Sequence, residues 1–393
     1  MTAEWVGVAT GVDGRHECGR LTPMSFSLPA EPARARNLAG VVPQLLRALD
    51  GTSDWFAPAR SAIVFVVDGL GATNLGARSG HARFLAQAMA KRDVARTVFP
   101  STTASALTSL LTGREVGQHG IVGYRARIPG TDDVVNQLRG WDTDGLPRSW
   151  QRATPLTTGE RQFFAVTKPE YSGTGFTAAT LEGAQFHGHE SLADRVAAAA
   201  DLAARNPGSL TYLYVPELDG LGHRFGWESD RWTAGLEALD DAARRMAGGL
   251  HRGTGVVVTA DHGMVDVPRH RHVLLHDDDP LVDGVRLIGG EPRMLHLYAE
   301  EGAAAAVAER WREAEGARAW VLERDEAIDA GLFGEVDDDV RGRIGDVLVA
   351  ARAAVAYYDD RIADKAPQKM VGQHGSLTHE ERTVPLIRLG AFA

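Results

Sequence analysis

Apolar residues along this chain follow two rhythms. Short unbroken runs, AIVFVV from Ala62, TYLYV from Thr211 and GVVVTA from Gly255, are bounded by turn residues, as strands buried on both faces are. Longer stretches carry helical spacing: Ala82 to Lys91, Ser191 to Arg205 and Ser229 to Leu250. Ser191, with Asp194 three residues later, predicts a capped start for the second of these. Alternation of the two rhythms predicts an α/β fold. Val94 to Phe99 reads as a further strand, reached from the first by a crossover expected to be right-handed. Leu38 to Asp50 reads as a short helix interrupted by Pro43, after an irregular stretch up to about Arg36.

Two stretches break the alternation. Arg125 to about His189 loosens into turns, aromatics and short alternating pieces such as QFFAVT at Gln162 to Thr167. Val265 to about Asp359 holds a strand over Arg293 to Ala299 and a helix over Ala303 to Ala314. The expected organisation is one α/β catalytic domain over 1–393, with insertions at 125–189 and 265–359 forming a cap over its site. There is no internal repeat.

The residues that follow the apolar runs carry the chemistry. Asp68 follows the first, PELDGLGH (Pro216 to His223) the second and DHGM (Asp261 to Met264) the third. The carboxyl edge of an open parallel sheet is where α/β proteins place their ligands. After Pro100 a Ser/Thr cluster opens a predicted helix from Thr103 to Leu111. A hydroxyl there faces free backbone N–H groups and the positive end of the helix dipole, which suits a phosphate. Asp68 and Thr103 are therefore expected to share one pocket.

With His374 from a late GQHG, the candidate metal ligands are Asp68, Thr103, Asp219, His223, Asp261, His262 and His374. Carboxylates and imidazoles of this kind suit zinc, with manganese a second fit, and they exceed what one tetrahedral ion takes. Two ions are implied. A pair about 4 Å apart would clamp the attacking and leaving oxygens of an in-line displacement at phosphorus. Singly, each residue has a plainer role as a turn residue, a helix cap or a hydrogen-bonded polar group. The weight lies in their joint occurrence.

Composition narrows the partners. A formal charge of −10, with basic residues scattered, argues against a surface that tracks DNA or RNA and leaves a small phosphorylated substrate. One cysteine, Cys18, excludes an internal disulfide framework and a thiolate zinc cluster. No apolar run reaches the ~18 residues of a membrane span, and the amino terminus does not read as a secretory signal. A cytoplasmic protein without a membrane partner is expected.

Taken in order, DGL at Asp68, VFPSTT at Val98 with LTG at Leu111 and HGI at His119, the D-x-x-G-H spacing from Asp219 to His223, DHGM at Asp261 and GQHG at Gly372 resemble the alkaline phosphatase superfamily. Within it they look most like the type I phosphodiesterase and nucleotide pyrophosphatase branch. The resemblance implies an alkaline-phosphatase-like three-layer sandwich, with a mostly parallel central sheet, helices on both faces and inserted cap segments. It implies that Asp219, His223 and His374 hold one zinc and that Asp68, Asp261 and His262 hold the other. Thr103, also bound to the second ion, would be the nucleophile, favoured over Thr102 by its spacing to LTG. His119 is read as structural.

The implied activity is hydrolysis of phosphodiester or pyrophosphate bonds in a small, nucleotide-like substrate through a phospho-threonine. The alternatives are a phosphomonoesterase, a phosphonate or phosphosugar enzyme, or a catalytically silent zinc-binding protein. A sulfatase is disfavoured, because the Cys/Ser-x-Pro-x-Arg pattern is missing near Thr103. The branch's Pro-Asn-His after the nucleophile is replaced by Ser105, Ala106 and Leu107, and its phosphate-contacting Asn falls near Gly123 and Tyr124. Tyr124, Arg125, Lys168 and Arg293 are the candidate substrate contacts. Trp141, Phe163, Phe164, Tyr171 and Phe176 are candidates to stack on a base or to form the core of the first insertion.

Overall fold

Every residue of the Ser61–Val67 strand is buried, and its alternating side chains feed two separate cores. Ala62, Val64 and Val66 pack with helices Val41–Leu49 and Thr103–Thr112, whereas Ile63, Phe65 and Val67 pack with Leu192–Arg205 and Asp230–Gly249. A period of two divided between two helical layers makes a three-layer sandwich. These features come from a computed structural model that describes residues 27–30 and 35–393. Cys18, the amino-terminal segment and most of the irregular stretch before Arg36 lie outside the described residues.

The central sheet has seven strands, in the order Val94–Arg96, Thr383–Gly390, Thr254–Thr259, Ser61–Val67, Leu210–Val215, Phe163–Thr167 and Gln185–Gly188. All run parallel except Thr383–Gly390, which is antiparallel to both its neighbours. The Asp68, Asp219 and Asp261 segments consequently leave the sheet side by side at one edge. Val94–Arg96 is not a neighbour of the first strand, because two other strands lie between them.

Several expectations change. Pro43 does not interrupt a helix: the α-helix begins at Val41, after a 3-10 turn at Leu38–Gly40, so the proline sits in the first turn, where no intrahelical N–H is needed. The 125–189 stretch is not wholly an insertion over the sheet, since Phe163–Thr167 and Gln185–Gly188 are two strands of the sheet itself. The helix expected over Thr103 to Leu111 runs Thr103–Thr112, with Thr103 its first residue and Thr102 at the cap position. Ser191 caps its helix as the sequence implies, accepting the Asp194 N–H.

The 265–359 stretch builds its own four-stranded antiparallel sheet, in the order Val285–Glu291, Met294–Ala299, Val347–Ala351 and Ala319–Glu323. One face packs on helix Ala304–Glu315 through Trp311. From the other face Met294, Leu348 and Ala350 join Phe99, Val122 and Leu377 in a core shared with the main body. This second unit is thereby fixed against the segment that carries Thr103.

Candidate active site

The buried Asp68 and Asp261 carboxylates each have one oxygen held by the protein and one left over. Asp68 Oδ2 accepts the Tyr214 hydroxyl, while Asp261 Oδ1 accepts the backbone N–H groups of Gly69, at 3.1 Å, and His262, at 3.0 Å. Asp68 Oδ1, Asp261 Oδ2 and Asp219 Oδ1 have no hydrogen-bond partner. The Asp68-Gly69 turn must be glycine at its second position. Gly69 has φ 74°, and a Cβ there would meet the Asp219 backbone at 3.1 Å.

The three histidines share a complementary device. Nδ1 of His223 faces the Gly372 carbonyl at 2.7 Å, Nδ1 of His262 the Gly263 carbonyl at 3.1 Å and Nδ1 of His374 the Ser101 carbonyl at 2.9 Å. A carbonyl can only accept, so each Nδ1 carries the proton and each Nε2 presents a lone pair. His262 Nε2 lies 3.3 Å from Asp68 Oδ1, 3.6 Å from Asp261 Oδ2 and 3.2 Å from Thr103 Oγ1. His223 Nε2 lies 3.2 Å from Asp219 Oδ1 and 3.3 Å from His374 Nε2, and His374 Nε2 lies 3.9 Å from Asp219 Oδ1.

Electron pairs converge in this way on two adjacent points with few protons between them. Burial, then Asp261 and Asp219, push the Asp68 carboxyl well above the usual carboxylate range; burial, then His262 and His223, hold His374 well below the usual imidazole range. Cations at the two points would satisfy both trends at once. The donor set of carboxylates and neutral imidazoles fits zinc. Asp68, Asp261 and His262 form one geometrically coherent group, and Asp219, His262 and His374 another, with His223 adjoining the second.

A cleft of about 870 Å³ opens on this cluster, lined by Asp68, Thr103 and Asp219 and extending past Leu107, Tyr171, Phe176, Tyr214 and Phe225. Of the candidate substrate contacts it includes Lys168, whose Nζ is 3.8 Å from Glu170 Oε1. Arg293 is a correction. Its five N–H donors are taken by both oxygens of Glu381 and by the carbonyls of Ala351, Ala353 and Val355, and it is fully buried. Tyr124 and Arg125 do not line the cleft among the described residues, and Arg125 instead begins a hairpin strand paired with Val134–Asn136.

The aromatic candidates divide. Tyr171 and Phe176 face the cleft, and burial, then Asp68, push the Tyr171 hydroxyl up to about 12. Trp141 donates to the Gln137 carbonyl, and Phe163 lies in the core. Phe164 is buried beside the His187 ring. His119 accepts the Ile121 N–H and pairs with Ser109, a structural role. Sequence reasoning missed Tyr212 and Tyr214, stacked side by side with centroids 6.0 Å apart. The signal was present, since alternation in TYLYV puts both on one face just before Asp219. It also missed Glu291, on the second unit, whose Oε2 is 3.7 Å from His374 Nδ1.

A mostly parallel seven-stranded sheet between helices, with acid and histidine pairs at one edge around a threonine that opens a helix, is the alkaline-phosphatase-like fold. A profile of the type I phosphodiesterase / nucleotide pyrophosphatase family matches residues 62–377. The chain belongs to that family, one of phosphoric ester hydrolases. A bis(5′-adenosyl)-triphosphatase of Xenopus laevis is 26% identical over 194 residues, spanning 46% of this chain and 42% of that protein, less than half its length. Among solved structures, murine ectonucleotide pyrophosphatase/phosphodiesterase 5 superposes with a TM-score of 0.64 at 18% identity, covering 83% of this chain and 87% of that one. Phosphonoacetate hydrolase from Sinorhizobium meliloti 1021, in complex with phosphonoacetate, gives 0.65 at 19% identity, covering 85% and 91%. At these identities the solved structures show a shared fold.

Proposed function

We propose that this protein hydrolyses phosphodiester or pyrophosphate bonds of a small, nucleotide-like substrate, with Thr103 as nucleophile and two zinc ions as cofactors. The observation that carries the reading is the convergence of three unpartnered carboxylate oxygens and three imidazole lone pairs beside the Thr103 hydroxyl. Asp68, Asp261 and His262, with Thr103, would hold one ion and Asp219, His223 and His374 the other. When bound, such a pair supplies Lewis-acid activation and charge neutralisation at phosphorus. Manganese is the second fit.

The chain's own groups do the rest. Thr103 Oγ1 stands at the start of a ten-residue helix, so the N–H groups of the first turn face a phosphoryl group placed against it. Oγ1 gives up its proton to solvent and forms the new bond to phosphorus as the bond to the departing oxygen breaks and that oxygen takes up a proton from water; a second water then hydrolyses the phospho-threonine and restores the Thr103 hydroxyl, with two inversions giving retention. Tyr214 fixes the Asp68 carboxylate by holding Oδ2. Lys168 supplies a positive charge on the cleft wall for the anionic substrate, and Tyr171 and Phe176 give a flat, apolar rest for the group attached to phosphorus.

Ser105 cannot serve as a phosphate contact in place of the branch's Pro-Asn-His, because its hydroxyl is spent on the Ile121 carbonyl at 2.6 Å. That departure keeps monoester and phosphonate hydrolysis as outcomes of the decisive test. The single cysteine accords with a reducing, cytoplasmic setting, and no helix among the described residues is long and apolar enough to cross a membrane.

The test is turnover by zinc-loaded protein on a diester, a monoester, a dinucleoside polyphosphate and a phosphonate, with metal analysis alongside. Two zinc ions per chain, diester or pyrophosphate turnover above the others and loss of activity on chelation are expected. Active protein free of transition metal would overturn the cofactor assignment. Zinc-loaded protein silent on the whole panel would leave a binding protein.

A further inference from the structure

Met264 closes the DHGM run, and nothing in the proposed chemistry uses it. The side chain is buried, yet it belongs to none of the apolar cores formed by the described residues. Its sulfur rests on backbone instead. A Cβ added to Gly222 would meet Sδ of Met264 at 2.2 Å, and one added to Gly372 would meet it at 2.3 Å. These two glycines belong to the segments that present His223 and His374: Gly222 immediately precedes His223 on helix Glu217–Phe225, and Gly372 lies two residues before His374.

The glycine pair is itself the contact between those segments. A Cβ on Gly372 would also come within 2.6 Å of the Gly222 carbonyl oxygen, the Gly372 carbonyl accepts the Nδ1 proton of His223 at 2.7 Å, and Val371 donates its N–H to the His223 carbonyl at 2.8 Å. Side chains are excluded from both glycines, and one unbranched thioether fills the notch that remains. The backbone of Met264 is held from the other side. Asn74, buried on helix Ala72–Ala77 just beyond the Asp68-Gly69 turn, accepts the Met264 N–H on Oδ1 at 3.2 Å and donates an Nδ2 proton to the Met264 carbonyl at 3.1 Å. Met264 is thereby tied through its backbone to the Asp68, Asp261 and His262 group, while its sulfur bears on the Asp219, His223 and His374 group.

We propose that Met264 is a positioning residue, a spacer that sets the separation of the two metal-binding groups by holding the Gly222–Gly372 contact at a fixed distance from the backbone that Asn74 clamps. The inference rests on the two-ion reading above. Two-ion chemistry at phosphorus works at a separation of about 3.5–4 Å, so a ligand group free to drift along the sulfur contact holds its ion less well and turns over more slowly. Outer partners of metal ligands change affinity or activity by about 10–100-fold. The effect falls on one group, because in a truncated variant the bonds from Asn74 to the backbone of residue 264 remain.

Met264→Ala empties the notch, and Met264→Leu refills most of it. Met246→Ala, the same truncation within the core under helix Asp230–Gly249, is the control. The measurements are zinc affinity of metal-stripped protein, by competition with a chromophoric chelator, the melting temperature of the metal-free protein and steady-state rates. Both truncations should lower the melting temperature, since each leaves a cavity. Only Met264→Ala should weaken one of the two zinc ions, by about 10-fold, with kcat reduced and KM unchanged, and Met264→Leu should restore most of the lost affinity. If Met264→Ala fails to fold, Met264→Val, which lacks the sulfur and methyl that reach the glycines, decides in its place. A truncated Met264 variant that binds both zinc ions as the wild type does, weakens both equally, or is matched in zinc affinity by Met246→Ala overturns this inference alone. Wild-type protein that takes up no zinc overturns the two-ion reading and this inference with it.

Discussion

Two groups of buried charge among the described residues end in opposite states. Arg293 and Glu381 complete each other, with the guanidinium donating to both carboxylate oxygens and three carbonyls and the carboxylate also accepting from Ser376 and Thr378. Asp68, Asp219 and Asp261 each retain an oxygen with no donor, facing imidazole nitrogens that bring lone pairs rather than protons. An uncompensated buried charge costs several kcal/mol. The first cluster is closed and serves the fold, whereas the second is open and calls for a cation from outside. The difference separates a structural arginine from the carboxylates proposed to hold metal, a distinction that the sequence does not draw.

The largest effect that sharpens this contrast is chemical. Thr103→Ala leaves the open cluster's carboxylates and imidazoles in place, so zinc uptake should persist while turnover falls by roughly 10⁴ to 10⁶, as when a catalytic nucleophile is deleted. Thr103→Ser should keep part of the activity and Thr102→Ala most of it. Metal analysis beside steady-state rates checks both. Loss of zinc together with turnover in Thr103→Ala would make the residue structural, and wild-type turnover would hand the attack to water.

Breaking the closed cluster should do the reverse. Arg293→Met strands Glu381 and is expected to cost about 3–5 kcal/mol of stability, the usual loss when one partner of a buried pair is removed. Zinc should still stabilise the variant by the same increment as the wild type, since binding to the native state alone adds RT ln(1 + [L]/Kd). Denaturant midpoints with and without zinc test this. A variant as stable as the wild type but defective in substrate binding would return Arg293 to the list of substrate contacts.

The smallest effect concerns buried imidazoles that lie outside both clusters. Burial, then Arg343, pulls His119 down to about 3, and burial, then Arg324, pulls His296 down to about 3. Both fall below the unfolded value of roughly 6.5, so the stability they contribute is full above that pH and is lost as pH falls toward 3. At pH 5 each should have cost roughly 2 kcal/mol relative to pH 7. Urea midpoints between pH 7 and 5 should show this slope, and His119→Gln should flatten it. Parallel slopes for the variant and the wild type would mean that His119 is not buried neutral.

Much of the site was legible in one dimension because it is made of strand ends. An apolar run predicts a buried strand, and the residue after it emerges at the sheet edge whatever the order of the strands, so Asp68, Asp219, Asp261 and His262 could be found without knowing the topology. His374 was legible only through the motif around it. Arg293 was misread because a cation at the start of a predicted strand looks the same whether it faces a cleft or, as here, Glu381 and three carbonyls. Glu291 was passed over because its strand lies in the second unit, far from the parallel run that drew attention to the other acids.

The sequence by itself determined the three buried strands that lead to Asp68, Asp219 and Asp261, the long helices over Leu192–Arg205 and Asp230–Gly249 and the hydroxyl at the start of the Thr103–Thr112 helix, since these depend on local periodicity and on groups a few residues apart. Only the tertiary structure decided which oxygens are spent on the protein and which stay free. It placed Phe163–Thr167 and Gln185–Gly188 in the sheet instead of over it, and it turned Glu291 toward His374. Those choices depend on partners tens to hundreds of residues away. Hydrogen bonds between Ser101 and Gly375, or Tyr214 and Asp68, leave no periodic trace in the chain and exist only once packing has brought their segments together.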